Sequence, residues 1–428
     1  MSKELFHTKY LIIGNSAGGI GAAEAIHEVG QQGEATIISD EPYHVYSRPM
    51  ISKYLAGECS REEMLFRPID FYHKNNVATL LGKKAVQLDL KQHRVELESG
   101  EKVFWERLLL ACGGIPFIPP TPGGDKSGVF TFTTLDDAIR IGESLRTANR
   151  AVVIGGGLIG LSVTEALVRR GIKVSLVEMR ERVLSLILDE TASYLVERRL
   201  REVGVDILTE HTVKEIVGSS LDWGKVGEVI LDNDERLLCD VVIVAIGVVP
   251  RTELIRDNEI KVNRGIVVDR FMSTSCPGVY ACGDVASSYD FILDADRLTP
   301  IWPNAYIGGR VAGYNMAGIA REYPGGTAMN AMSYFDLPVI SAGMVEPQGE
   351  GCEAFTKLEA GGYRRVVLRE GRILGMVLLG QIDKAGIIFG LMRDKVDVSN
   401  FKESLLDSGL GIASLPRELW REKFEVKQ

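Results

Sequence analysis

The chain has 428 residues, 45% hydrophobic and 25% charged, an ordinary globular composition with room for two or three domains. Its formal charge of −9 gives no general basic face, which argues against nucleic acid or an anionic membrane as a partner. Met1 to Lys9 is polar, without an apolar signal core, and no stretch is long enough to span a bilayer, so the expected address is the cytoplasm.

In chain order, the first pattern is a short apolar strand, Tyr10 to Ile13, then Gly14-Asn15-Ser16-Ala17-Gly18-Gly19, then a helix from Ile20 to Ala25. Gly14, Ser16 and Gly19 meet the spacing G-x-G-x-x-G with serine in the middle position. Such a turn lets backbone approach a pyrophosphate and aims a helix N-terminus at it. Ser16 is small and can donate its own hydrogen bond. Ala35 to Ser39 reads as the next strand and ends at Asp40-Glu41, either of which can accept from an adenosine ribose. Residues 60–75 read as a polar helical excursion. Three short strand patterns follow, the last running from Leu108 to Ala111 before Cys112-Gly113-Gly114. Ile115 to Gly124 carries Pro116, Pro119, Pro120 and Pro122 and reads as a linker.

A second strand, Ala151 to Ile154, leads into a complete glycine turn, Gly155-Gly156-Gly157-Leu158-Ile159-Gly160, and a helix from Leu161 to Leu167. The strand Val174 to Val177 ends in Glu178, 18 residues after Gly160. An acid there bonds the free ribose hydroxyls of NADH and repels a 2′-phosphate, whereas Arg180 and Arg182 leave NADPH open. Two cradles in one polypeptide imply two dinucleotides, whose obvious joint use is to pass a hydride. Further strands are expected at Asp240 to Ile246 (before Gly247), at Gly265 to Asp269, and at Val279 to Ala281 before Cys282-Gly283-Asp284. A helix from Asn304 to Ala317 precedes Gly325-Gly326, and the remaining hundred or so residues alternate strands (Val366 to Leu368, Ile373 to Gly380) with a helix (Lys384 to Arg393).

In this order the motifs are similar to those of the two-dinucleotide flavoprotein reductases, within the rubredoxin reductase, ferredoxin reductase and nitrite reductase flavin-domain branch that also holds apoptosis-inducing factor. Tyr46-Ser47-Arg48-Pro49-Met50-Ile51-Ser52-Lys53 resembles that branch's Arg-Pro-x-x-Ser-Lys signature. Ala111-Cys112-Gly113-Gly114 resembles its Ala-Thr-Gly-Gly turn, and Ala245-Ile246-Gly247 the second Ala-Thr-Gly turn. Val279-Tyr280-Ala281-Cys282-Gly283-Asp284 resembles the segment that holds the flavin ribityl chain, and Trp302-Pro303-Asn304-Ala305 the start of a helix aimed at the flavin pyrimidine.

The resemblance implies an α/β fold with two Rossmann-like domains, for FAD and NAD, and a C-terminal α+β domain. Residues 1–118 and 247–325 would form the FAD-binding domain, 119–246 the NAD(H)-binding domain, and 326–428 an interface or dimerisation domain. It further implies that Arg48 contacts the adenosine diphosphate side of FAD, Lys53 lies near flavin N5 as the catalytic side chain, and Asp284 binds the ribityl hydroxyls. The backbone at Asn304 and Ala305 would face the pyrimidine. One departure stands out: the family often has a glutamate, paired with the lysine, where this chain has Ser162, and Glu165 is the available substitute.

Disulfide-active relatives need a thiol beside the flavin, in a segment that aligns here near Arg48 and Pro49, and the nearest cysteine is Cys59. All six histidines precede residue 212, so a C-terminal histidine acid is absent. The six cysteines form no Cys-x-x-Cys and no metal spacing, and read as free thiols. The expected function is therefore hydride transfer from NADH to FAD, then electron transfer to a rubredoxin or ferredoxin, without a redox-active cysteine. Dioxygen as acceptor, or a low-turnover subunit or sensor of a larger complex, are the alternatives; a homodimer is compatible with either. Net acidity disfavours an acidic carrier unless a local patch such as Lys83-Lys84 or Arg364-Arg365 receives it.

Overall fold

The computed structural model describes residues 5–30, 34–407, 409–411 and 415–416. The chain divides into two compact units. One comprises 1–117, 133–139 and 247–327; the other 118–132, 140–246 and 328–428.

In the first unit, strands Ala78–Leu81, Ala35–Ser39, Leu5–Ile13 and Lys102–Leu110 lie side by side and parallel, and Val279–Ala281 joins the end of the last. Ala85–Asp89 and Arg94–Leu97 extend it antiparallel. Leu11, Ile12, Ile37, Leu108 and Leu109 are fully buried, as a sheet covered on both faces requires. Two helices, Ala17–Glu28 and Trp302–Met316, pack together at backbone distance. A Cβ on Gly21 would lie 2.5 Å from the Tyr306 carbonyl oxygen, and one on Gly313 the same distance from that of Ala22. Glycine is required here because no side chain fits between the helices.

The second unit holds an all-parallel sheet in the order Asp206–Thr209, Lys173–Glu178, Arg150–Ile154, Val241–Val244 and Val129–Thr131. Its C-terminal part is an antiparallel five-stranded sheet, Met329–Tyr334, Leu337–Gly343, Arg372–Leu379, Gly362–Arg369 and Cys352–Glu359, with the helix Ala385–Arg393 against it. This is the expected architecture: two Rossmann-like sheets and an α+β tail.

Three details differ from the sequence reading. Only Phe71–Lys74 is α-helical within residues 60–75; the rest turns, because Ser47 N–H and Phe66 N–H bond across the chain to Met64 and Val45 carbonyls. The proline-rich stretch begins as a strand, Gly114–Pro116, paired antiparallel with Val248–Pro250. Arg364 and Arg365 form no basic patch. Arg364 is buried and bonded to Glu359 and the Leu406 carbonyl, and Arg365 to Glu346 and the Val345 carbonyl. Lys83 likewise pairs with Glu101 at 2.9 Å.

Candidate active site

The two glycine turns are built alike. In the first, Gly14 N–H bonds the Ile38 carbonyl at 2.9 Å and Ala111 N–H bonds the Ile13 carbonyl at 2.9 Å. In the second, Gly155 N–H bonds the Val177 carbonyl and Ala245 N–H the Ile154 carbonyl, both at 2.8 Å. Gly14 and Gly155 have φ of +127° and +108°, and a Cβ on either would strike the carbonyl oxygen of Ala111 or Ala245. Gly19 and Gly160 are closed by the carbonyls of Gly14 and Gly155 in the same way. The middle position faces outward: a Cβ on Gly157 meets nothing within 4 Å, and Ser16 occupies the equivalent place. Both helices that follow, Ala17–Glu28 and Leu158–Arg169, start without a side-chain cap. Their first N–H groups are thus left for a ligand, which is what a pyrophosphate requires.

Glu178 ends its strand with the carboxylate folded onto the second cradle. Oε2 accepts from Gly156 N–H at 2.5 Å and Oε1 from Arg180 N–H at 2.8 Å. Leu184 N–H closes the loop onto the Gly156 carbonyl at 2.8 Å. Arg182 is engaged by Glu181 and lies 3.8 Å from Glu346, so its charge is largely committed to carboxylates.

At the first cradle the two acids separate. Asp40 is exposed and pairs with Arg251 at 2.7 Å. Glu41 is tucked in, bonded to Arg48 and, at 2.6 Å, to the Tyr46 hydroxyl. Arg48 also donates to the Thr133 carbonyl at 2.9 Å, and Tyr46 Oη accepts from Leu135 N–H at 3.0 Å. Residues 133–135 and Tyr46 were not singled out from sequence; only the position of Tyr46 inside the Arg-Pro signature hinted at it.

Asp284 sits in a short turn, Gly283–Val285, beyond the strand Val279–Ala281. Burial raises the pKa of its carboxyl, and the charge on Arg48 opposes the rise, so the two groups share one electrostatic neighbourhood. Among the described residues no group hydrogen-bonds this carboxylate. A half-buried acid without a protein donor suits the hydroxyls of a ligand. The helix Trp302–Met316 also starts without a side-chain cap, leaving the Asn304 N–H available, while Asn304 Nδ2 is bonded to the Thr327 carbonyl at 3.1 Å. Gly113 and Gly247 both have positive φ and open space on the Cβ side, and the ribbon between their strands ties the turns together.

Residues 8–309 match the pyridine nucleotide-disulphide oxidoreductase family, and residues 329–396 match the rubredoxin NAD+ reductase C-terminal domain. The chain belongs to the pyridine nucleotide-disulphide oxidoreductase family. Like that family it is an FAD- and NADH-dependent oxidoreductase. It is 29% identical over 98% of its length to the epsilon subunit of NADH-dependent phenylglyoxylate dehydrogenase from Aromatoleum evansii, all of which it covers. It is also 29% identical to the NADH-rubredoxin oxidoreductase of Clostridium acetobutylicum, over 88% of this chain and 92% of that one. Among solved structures it resembles the covalent putidaredoxin reductase–putidaredoxin complex, with a TM-score of 0.86, 27% identity, and coverage of 94% of this chain and 96% of that chain.

Family features outside the cradles fit less simply. Lys53 lies exposed in the short helix Ile51–Ala56. Ser162 spends its hydroxyl on the Leu158 carbonyl at 2.8 Å. Glu165 is engaged within its own unit: its Oε1 accepts from Phe335 N–H at 3.0 Å and from Arg169 at 2.8 Å, tying the cradle helix to the C-terminal sheet. All six cysteines are free. Burial pushes the thiols of Cys112 and Cys239 up to about 12 and raises that of Cys282 as well, which makes them poor nucleophiles.

Proposed function

We propose that this chain is an NADH-dependent reductase that delivers electrons to a small redox protein of rubredoxin or ferredoxin type, with no cysteine in the relay. The observation that carries the reading is the presence of two dinucleotide cradles of the same build with a C-terminal segment matched by the rubredoxin NAD+ reductase C-terminal domain. Gly155, Gly157, Leu158, Ile159 and Gly160 would hold the NADH pyrophosphate, and Glu178 its adenosine ribose. Gly14, Ser16, Ala17, Gly18 and Gly19 would hold that of FAD, with Glu41 and Arg48 on its adenosine side. Ala111, Cys112, Gly113, Gly247, Gly283 and Asp284 would line the rest, and Asn304 and Ala305 the pyrimidine end. Asp40 is the weaker ribose candidate because Arg251 already pairs with it. Bound FAD would supply the conversion between two-electron and one-electron chemistry. The protein's own task is then positioning and exclusion of water, since hydride transfer asks for no side-chain acid or base. Lys53 is the one side chain proposed near the reacting end. The domain limits proposed are 1–118 with 247–325, 119–246, and 326–428.

A second reading has its own support. The match to the phenylglyoxylate dehydrogenase epsilon subunit runs over 98% of this chain and all of that one, which favours an electron-transfer subunit of a larger assembly. One experiment separates the two. Purified protein is mixed with NADH without air, flavin bleaching is followed, and rubredoxin, ferredoxin or dioxygen is then added. Rapid reoxidation by a carrier protein supports the reductase. Bleaching with negligible reoxidation by any free acceptor supports the subunit, and absence of bleaching overturns both.

A further inference from the structure

The segment 41–48 carries Glu41 and Arg48, the two groups best placed for an adenosine diphosphate, yet it is a loop. Something must hold it in register with the glycine turn. Asn15, the second residue of that turn, does so with both ends of its amide. Its Nδ2 donates to the Tyr43 carbonyl at 3.2 Å, and its Oδ1 accepts from the Tyr72 hydroxyl at 2.7 Å. The same hydroxyl accepts from Val45 N–H at 3.1 Å. The Tyr72 ring packs on His44 with centroids 4.6 Å apart. Tyr72 thus sits at a three-way junction between the turn, the loop and the helix Phe71–Lys74, all within one compact unit.

We infer that Tyr72 is a positioning residue for the adenosine half of FAD, acting through Asn15 and Val45 and not by touching the ligand. The inference rests on the flavin reading given above. Tyr72→Phe keeps the ring, its packing on His44 and its place in the core, but strands the Val45 N–H and the Asn15 oxygen. Neither group is fully open to water, so the held form of the loop becomes less populated. Apparent affinity falls by the fraction of molecules left in the competent form.

The test is a titration of flavin-free protein with FAD, read by quenching of flavin fluorescence. Tyr72→Phe is expected to raise the FAD Kd about tenfold. The absorption spectrum of the bound flavin and the Kd for NADH are expected to match the wild type, because neither depends on the adenosine loop. Asn15→Ala should be non-additive with it: the double variant should bind FAD about as weakly as the weaker single variant, not about a hundredfold below the wild type. An unchanged Kd in Tyr72→Phe, full additivity with Asn15→Ala, or a weakened NADH Kd together with an altered flavin spectrum would each overturn the inference. A wild-type chain that takes up no FAD would bring down the flavin reading with it, whereas normal uptake by the wild type and by Tyr72→Phe removes the positioning role alone.

Discussion

Replacing Glu178 with alanine is the sharpest test of how the second cradle chooses its nucleotide. The carboxylate is held by two backbone N–H groups, Gly156 at 2.5 Å and Arg180 at 2.8 Å, which fix it at the rim of the glycine turn. A ribose hydroxyl bonded to a carboxylate so fixed is worth about 1.5–3 kcal/mol, because one partner is charged and already ordered. Losing it predicts a rise in the NADH Kd of roughly ten- to a hundredfold. The same change removes the negative charge that opposes a 2′-phosphate, so affinity for NADPH should fall much less and the preference for NADH should shrink. Stopped-flow bleaching of the flavin against nucleotide concentration gives both constants in one protein preparation. FAD content should be unchanged, since the first cradle lies in the other unit. Gly156→Ala offers an independent check: its Cβ would press on Glu178 Oε2 at 3.0 Å and should weaken NADH in the same direction without removing the charge. An NADH Kd within about twofold of wild type in Glu178→Ala would refute the reasoning, for a charge-assisted bond cannot be lost at so small a cost.

Gly14→Ala is expected to yield protein without retained flavin, because φ is +127° and the added methyl meets the Ala111 carbonyl; the flavin-to-protein absorbance ratio measures it. Asp284→Asn should raise the melting temperature of the flavin-free protein at neutral pH. Burial raises the folded-state pKa of this acid, so its ionised form opposes folding above that pKa, and the opposition vanishes as pH falls below the unfolded pKa. The gain should therefore fade on acidification in a melting series, and the same variant should bind FAD less tightly. Maleimide treatment of the folded protein should leave Cys112, Cys239 and Cys282 unlabelled by mass spectrometry, with NADH-driven flavin reduction intact.

The glycine turns were legible because their constraint is steric and local. Gly155 or Gly160 is demanded by a carbonyl a few atoms away, and that demand shows as a fixed spacing. Glu178 was legible for a similar reason, since the end of a strand beside the turn is one place along the chain. What sequence could not show was how Asp40 and Glu41 differ: adjacent residues at a strand end face different ways, and their partners, Arg251 and Tyr46, lie 211 and 5 residues distant. The fate of Glu165 was equally hidden, because its partner, Phe335, lies in a hairpin turn 170 residues later. Arg364 and Arg365 looked like surface charge in a row, but each found carboxylates and carbonyls supplied by other strands and loops. Tyr72 carried no motif at all. Its importance lies in three hydrogen-bonding groups that converge only in the folded chain.

The near-contact of the helices Ala17–Glu28 and Trp302–Met316 bears on how the protein is made. Gly309 fits against Gly18, Gly313 against Ala22, and Gly21 against the Tyr306 carbonyl, so the floor of the first cradle is finished by residues synthesised almost 300 positions later. A nascent chain emerging from the ribosome can form the early strands, yet it must wait for nearly three-quarters of its length before the first cradle can close. If this cradle holds the flavin, as proposed, cofactor loading is a late event in biogenesis, and truncations before Gly313 should leave an open, colourless amino-terminal fragment.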